Sequence, residues 1–307
     1  MSLPTNSILL LGKGELGTAL LTSLTLHPFY SPTTTKITLL TRSPPSYSLP
    51  ANISTHQADI TTATLSSLIS IFNSHTTIIQ ASGFAFPPGT HLNIAKAAIS
   101  APNVKYFIPW QFGVDYDIIG KGSAHKVLFD EFLEVRELLR SQEIIKWNIF
   151  SSGLFMSFLF GVKEFGVVDF EQRVVRGLGG WGNKVTVTDV EGIGRMVAEV
   201  VLSEKVESRV VYIGGETVTY DEVADVLAEM GMDMRREEIL LDEIRERLRE
   251  NPGDKMVRYQ TVFAEGVGVW WEKEKMLNWR LGIKLRGVRE WLSENLDGLL
   301  QDSSGGY

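Results

Sequence analysis

The feature that most narrows the fold is an alternation of two spacings over the first half of the chain. Short runs such as "SILLLG", "KITLLTR", "ISTHQADI", "TTIIQASG", "KYFIPWQFG" and "KWNIFSSG" read as strands. Among them lie stretches of helical period: "ELGTALLTSL", "LSSLISIF" with Leu65, Leu68, Ile69 and Phe72 on one side, "HLNIAKAAI" and "HKVLFDEFLEVRELL". Strands that are apolar throughout need cover on both faces, and parallel neighbours need crossovers, which the helices supply. Right-handed crossovers leave a doubly wound parallel α/β sheet as the simplest topology.

After Gly153 the alternation degrades. "KVTVTDV" and "RVVYIGG" read as strands, and "DEIRERLRE" and "VREWLSENL" as helices. "TYDEVADVLAEMG" is a helix with Thr219 as N-cap, Glu222 completing a capping box and Gly231 closing it. The expected organisation is a first domain over 1–155 and a smaller α+β carboxy-terminal lobe over 156–300. Within that lobe a segment at about 184–214 returns to the sheet, and the tail 301–307 is expected to be disordered.

Composition excludes several function classes. The net charge of −7 argues against nucleic-acid or membrane-surface binding, since either needs a basic face. The greasiest stretch, "NIFSSGLFMSFLFGV", is broken by Ser151, Ser152, Gly153 and Ser157, so no bilayer span is expected. "MSLPTNSILLLGKG" has no basic region before its apolar run, which argues against a signal peptide and makes the cytoplasm the expected compartment. There is no cysteine, and the 5 histidines show no H-x-x-x-H pair, so no metal site is expected.

"LLLGKGELG" places Gly12, Gly14 and Gly17 in G-x-G-x-x-G spacing between the first strand and the first helix. Gly12 permits a tight turn, Gly14 lets backbone approach a pyrophosphate, and Gly17 lets helix and strand pack closely. In a Rossmann-type fold, Lys13, Glu15 and Leu16 complete a phosphate cradle at the helix N-terminus. The plainer reading is a glycine-rich turn without ligand. An NAD site wants an acid at the end of the second strand, but Thr41, Arg42 and Ser43 stand there and the nearest acid downstream is Asp59. A guanidinium and two hydroxyls suit a 2′-phosphate, so the expected cofactor is NADPH; a solvated loop arginine is the bland alternative. Beyond the fourth strand, Ser82, Gly83 and Phe84 are expected to face the same ligand.

Ligands of open α/β sheets sit outside the carboxyl ends of the strands. Phe86 follows the fourth strand there, Gln111 and Phe112 the fifth, and Phe155 and Phe158 the sixth, predicting an aromatic-lined crevice for a small flat substrate. On "HKVLFDEFLEVRELL", His125, Leu128, Phe129, Phe132, Val135 and Leu139 share a stripe. That stripe reads first as a packed helix face, and second as a pocket wall carrying Phe132 with His125 as a candidate proton donor.

The glycine loop, "LLTRS", "ASGF", "YFIPWQFGVDYD" and "FDEFLEVRELL" together resemble the NmrA-like and isoflavone-reductase-like group of atypical short-chain dehydrogenases. The most specific part is P-x-x-F-G-x-D, at Pro109, Phe112, Gly113 and Asp115, with the helix after it. Family members show G-x-x-G-x-x-G, whereas this chain has Leu11 at the first of those positions. The resemblance implies an NADPH-dependent reductase of a small aromatic or polyketide- or alkaloid-like metabolite. It also places Phe132 where the family's reductases carry a catalytic lysine. Tyr116 and Lys121 do not have Tyr-x-x-x-Lys spacing. Two other readings therefore stay open, a non-catalytic NADP(H)-dependent sensor and a redox-neutral enzyme that retains NADPH. The oligomeric state, monomer or homodimer, is left open.

Overall fold

A computed structural model describes residues 6–43, 49–50, 52–120, 126–202 and 207–304. In chain order its elements are β1 (Asn6–Leu11), α1 (Glu15–Leu26), β2 (Thr35–Thr41), β3 (Ile53–Gln57), α2 (Leu65–Phe72), β4 (Thr77–Gln80), α3 (Thr90–Ser100), β5 (Tyr106–Ile108), α4 (Tyr116–Ile119), α5 (Asp130–Arg140) and β6 (Lys146–Ser151). Next come β7 (Leu154–Phe155), α6 (Met156–Gly161), β8 (Val168–Asp169), β9 (Val174–Leu178), β10 (Lys184–Thr188), α7 (Val190–Leu202), β11 (Arg209–Tyr212) and β12 (Glu216–Thr219). The chain ends with α8 (Tyr220–Glu229), β13 (Arg235–Ile239), α9 (Leu241–Glu250), α10 (Lys255–Glu265), α11 (Leu277–Arg280) and α12 (Val288–Ser304).

The chain divides into two compact units. The first comprises Met1–Gln111, Glu131–Phe150 and Ile193–Val211. It holds a 7-stranded sheet in the order β11-β6-β5-β4-β1-β2-β3. The pairings of β1 with β2 and β4, of β2 with β3, and of β5 with β4 and β6 are all parallel. This is the doubly wound Rossmann-type order, in which the chain winds outward in both directions from β1. Leu9 and Leu11 of β1, Phe107 of β5, Phe72 of α2 and Leu139 of α5 belong to one buried cluster. Ile8 and Leu10 alternate with them and are equally buried, so they serve the other face of the sheet. Full burial of a Leu or Phe side chain contributes about 1.5–3 kcal/mol, so a central strand covered twice anchors the unit. Local signals set the helix ends. Thr64 caps α2 by accepting from the Ser67 N–H, and the carboxylate of Glu131 caps α3 from outside, accepting from Gly89 and Leu92 at 3.0 Å each.

The second unit comprises Phe112–Asp130, Ser151–Gly192 and Tyr212–Tyr307. It carries two 3-stranded sheets, β12-β10-β7 and β13-β9-β8, with helices, which makes it α+β. An aromatic cluster lies within it: Phe158 packs on Phe165 at 5.2 Å and on Tyr259 at 6.2 Å, and Phe129 meets Tyr116 at 4.9 Å. At α8 the Thr219 hydroxyl accepts from the Glu222 N–H while the Glu222 carboxylate accepts from the Thr219 N–H, the reciprocal box expected there.

Several expectations need correction. β3 is exposed over most of its length because it is a sheet edge, so it is not apolar throughout. The returning segment is narrower than 184–214: β10 pairs with β12 and β7 in the second unit, while α7 from Ile193 and β11 belong with the large sheet. The helix read over 125–139 is α-helical only from Asp130, with a 3-10 turn at Lys126–Phe129 before it. Phe129 accordingly packs in the second unit and Phe132 in the first. Of the tail expected to be disordered, 301–304 extend α12, and 305–307 lie outside the described residues. β9 and β13 carried no recognised signal; β13, "RREEI", pairs along β9 despite its charges.

Replacing Thr219 by Ala removes one half of the α8 capping box. Urea denaturation is expected to show a loss of about 1 kcal/mol with an unchanged slope.

Candidate functional site

The first unit has a switch point between β2 and β4, on either side of β1, where ligands of such sheets gather at the carboxyl ends. The glycine loop leaves β1 at that point. Gly12 has φ +110 and its N–H donates to Leu40 O at 3.0 Å. A Cβ on Gly12 would stand 1.9 Å from Ser82 Oγ, and one on Gly17 would stand 2.2 Å from Gly12 O. Those two glycines are demanded by the protein's own packing. Gly14 is not: its φ is −68 and a Cβ there would meet nothing within 4 Å. It is the N-cap of α1 and, being glycine, brings no capping side chain of its own. The space beside Gly14 borders the N-terminus of α1, which suits a phosphate approaching backbone N–H groups. In the first turn of α1, Glu15 is exposed and Leu16 is buried.

At the end of β2, Thr41 is buried and Arg42 and Ser43 are exposed. Thr41 Oγ1 exchanges hydrogen bonds with the Ser43 N–H and carbonyl, Gln57 Nε2 donates to Arg42 O at 3.0 Å, and Lys13 Nζ donates to Ser43 Oγ at 3.3 Å. The glycine loop and the end of β2 thus bring two cations to the same rim. Asp59 does not replace the missing acid. It accepts from the Thr61 hydroxyl at 2.6 Å and N–H at 2.9 Å, which holds its carboxyl below the usual range, with a smaller effect from Arg42. This donor set fits a dinucleotide bearing a 2′-phosphate.

Beyond β4 and β5 the loops are tied by one buried amide. Gln80 is 0% exposed; its Oε1 accepts from the Trp110 N–H at 3.2 Å, and its Nε2 lies 3.1 Å from Ser82 O and 3.0 Å from His91 Nδ1. His91 Nε2 lies 3.1 Å from Gly83 O. Gly83 is pressed between His91 and Trp110, where a Cβ would come within 2.4 and 2.5 Å. Phe86 stacks on His91 at 5.7 Å and Phe132 meets it edge-on at 4.9 Å. Phe84, 58% exposed, follows directly. Phe84, Phe86, Trp110 and Phe132 thus give the first unit an aromatic wall of partly exposed rings beside the glycine loop.

Not every expected residue joins that wall. Gln111 is buried, with Nε2 donating to Phe132 O at 2.9 Å and Oε1 accepting from Arg136 Nε at 2.7 Å, so it braces the wall from behind and does not line it. Phe112, Phe155 and Phe158 belong to the second unit, where Phe112 is buried and Phe158 sits in the aromatic cluster. His125 lies outside the described residues. Asp115 of the P-x-x-F-G-x-D element is buried in the second unit, accepting from the Tyr212 hydroxyl at 2.5 Å with Lys275 Nζ 3.6 Å away. Three participants were missed in the sequence. Gln80 is a polar side chain closing the buried strand β4, His91 lies in the first turn of α3, and Arg136 lies four residues after Phe132 on the same helix face, fully buried.

Among the described residues no helix is long and apolar enough to cross a membrane, and no group of three or more His, Cys, Asp or Glu could hold a metal ion. A model described as the NmrA-like family matches residues 89–291. An NmrA-like family domain-containing oxidoreductase of Gibberella moniliformis (strain M3125 / FGSC 7600) is 40% identical over 305 residues, covering 94% of this chain and 98% of its own. Among solved structures, the leucoanthocyanidin reductase–NADPH complex from Vitis vinifera superimposes with a TM-score of 0.73 at 17% identity, covering 95% of this chain and 99% of that one. The NADPH-dependent quinone oxidoreductase from Escherichia coli, complexed with NADPH, gives a TM-score of 0.72 at 18% identity, covering 94% and 99%.

The two kinds of glycine should separate in stability. Gly17→Ala forces a methyl against Gly12 O and is expected to cost about 1–3 kcal/mol in urea denaturation. Gly14→Ala is expected to change stability by less than about 1 kcal/mol.

Proposed function

The chain belongs to the NmrA-like family, and on that premise we propose that it is a cytoplasmic NADPH-dependent reductase of a small aromatic or polyketide- or alkaloid-like metabolite. The observation that carries the reading is Gly14, where a Cβ would meet nothing within 4 Å, at the N-terminus of α1 and beside two cations. Gly12, Lys13, Gly14 and the first N–H groups of α1 hold the pyrophosphate, and Arg42 with Thr41 and Ser43 meets the 2′-phosphate. Ser82, Gly83 and Phe84 flank the remainder of the dinucleotide. NADPH is also what the two solved neighbours named above carry.

When bound, NADPH supplies a hydride at C4 of its nicotinamide. The protein's task is to orient the acceptor and exclude water. Phe84, Phe86, Trp110 and Phe132 offer flat apolar faces to an aromatic acceptor. No ammonium stands at Phe132, which favours an electron-poor carbon (ketone, enone, imine or quinone methide) that needs little acid assistance. Taken alone, the same ring would also suit a sensor or a redox-neutral enzyme. The partly exposed aromatic wall favours a small-molecule acceptor.

Arg42→Glu is expected to weaken NADPH binding roughly ten- to hundredfold, the worth of a charge-assisted contact, and to leave NADH binding the stronger of the two. Gly14→Ala should weaken both by at least roughly tenfold while the protein stays folded. Titration calorimetry checks both; unchanged NADPH affinity in either variant contradicts the assignment.

A further inference from the structure

His91 has its proton placed by the backbone. The Trp110 N–H can only donate, so the Gln80 atom facing it is the carbonyl oxygen. The other end of that amide, the NH₂, then faces both Ser82 O and His91 Nδ1. Nδ1 must accept, so the proton of a neutral imidazole sits on Nε2, where it donates to Gly83 O. Each partner is satisfied in this arrangement and in no other. A second proton on Nδ1 would oppose the Gln80 NH₂. Flipping the Gln80 amide to receive it would set NH₂ against the Trp110 N–H and carbonyl oxygen against Ser82 O. Burial works in the same direction, holding the imidazole below its ordinary value of 6.5; the charge of Glu131 and the bond to Gly83 O work weakly against it.

We propose that His91 is a positioning residue which, as the neutral Nε2–H tautomer, fixes the Ser82–Phe84 loop and seats Phe132 in one arrangement. The proposal rests on the dinucleotide reading above, because that loop and ring are its cofactor and substrate sides. One imidazole joins them. Its edge nitrogens hold the loop through Gly83 and Gln80, and its ring lies against Phe86 and Phe132. Glu131, whose carboxylate caps α3, is the charged group that acts on it. His91 gives no proton to substrate, since both nitrogens are engaged. Because its value is depressed in the folded protein, the order it imposes is complete above pH 6.5 and is lost as pH falls through the folded value.

The direct test is nitrogen-15 NMR of histidine-labelled protein without ligand, with His91→Gln identifying the resonance. The expected result is a neutral ring protonated at Nε2 that titrates below the ordinary histidine range. An Nδ1–H tautomer, or an imidazolium at neutral pH, overturns the proposal. Variants dissect the two bonds. Gln at position 91 carries a donor toward Gly83 O, whereas Asn carries an acceptor toward Gln80 and none of the donor. His91→Asn is expected to weaken NADPH binding roughly tenfold and His91→Gln less than about threefold. As pH falls through the value that NMR finds for His91, the wild type should lose more NADPH affinity than His91→Gln, whose change reports the cofactor's own 2′-phosphate. Affinities of both variants that follow the wild type at every pH overturn the proposal. A wild type that binds no NADPH sinks the cofactor assignment instead, and the tautomer still decides His91.

Discussion

The crevice depends on the position of β1. It is paired in parallel on both edges, with β2 and with β4, and its side chains are buried on both faces. A strand so enclosed can only leave the sheet past its carboxyl end, and the turn that follows is crowded from two sides. Ser82 of the β4 loop presses on Gly12, and α1 comes down on Gly12 through Gly17. With those contacts made, α1 points its N-terminus at the gap that opens where the chain winds away in opposite directions. The proposed phosphate site is therefore a by-product of covering the central strand. Of the three glycines of the loop, Gly14 is the one that no contact within the protein requires.

The wall on the other side of the switch point depends on a different principle, the obligation to satisfy buried polar groups. Gln80 ends the buried strand β4 and makes three contacts from a fully buried position. Leaving such a group unpaired would cost about 1–3 kcal/mol, so the Ser82–Phe84 loop, Trp110 just beyond β5 and the start of α3 are held in one mutual arrangement. Gln111 does the same for Phe132 through its carbonyl, with Arg136 behind it. These polar braces present aromatic rings, and the imidazole among them, His91, is engaged at both nitrogens. That is consistent with an acceptor that takes a hydride and asks little of the protein as an acid.

The sheet was legible in the sequence because its signal is local and repeated. The six runs read as strands are the first six strands of the large sheet, and the two glycines that packing requires stand in the expected spacing. What misled was context. "KVTVT" has the same apolar texture whether it pairs in one sheet or another, and its partners β12 and β7 lie far from it in sequence. "RREEI" becomes a strand by pairing with β9, against its own charge pattern. Periodicity carried the stripe of "HKVLFDEFLEVRELL" through a 3-10 turn that it could not foresee, and so placed Phe129 and Phe132 together. The buried Gln80, His91 and Arg136 are polar residue types that ordinarily face solvent. Only the bonds they make reveal them.

The central claim is that the crevice delivers hydride to an aromatic acceptor. The measurement that tests it most directly uses NADPH carrying deuterium on both faces of C4, incubated with the protein and an extract of small aromatic metabolites and followed by mass spectrometry. The account predicts one deuterium at carbon in a new product, formed in proportion to the NADPH consumed. A converted metabolite free of deuterium, or NADPH recovered intact with no metabolite changed, would contradict it.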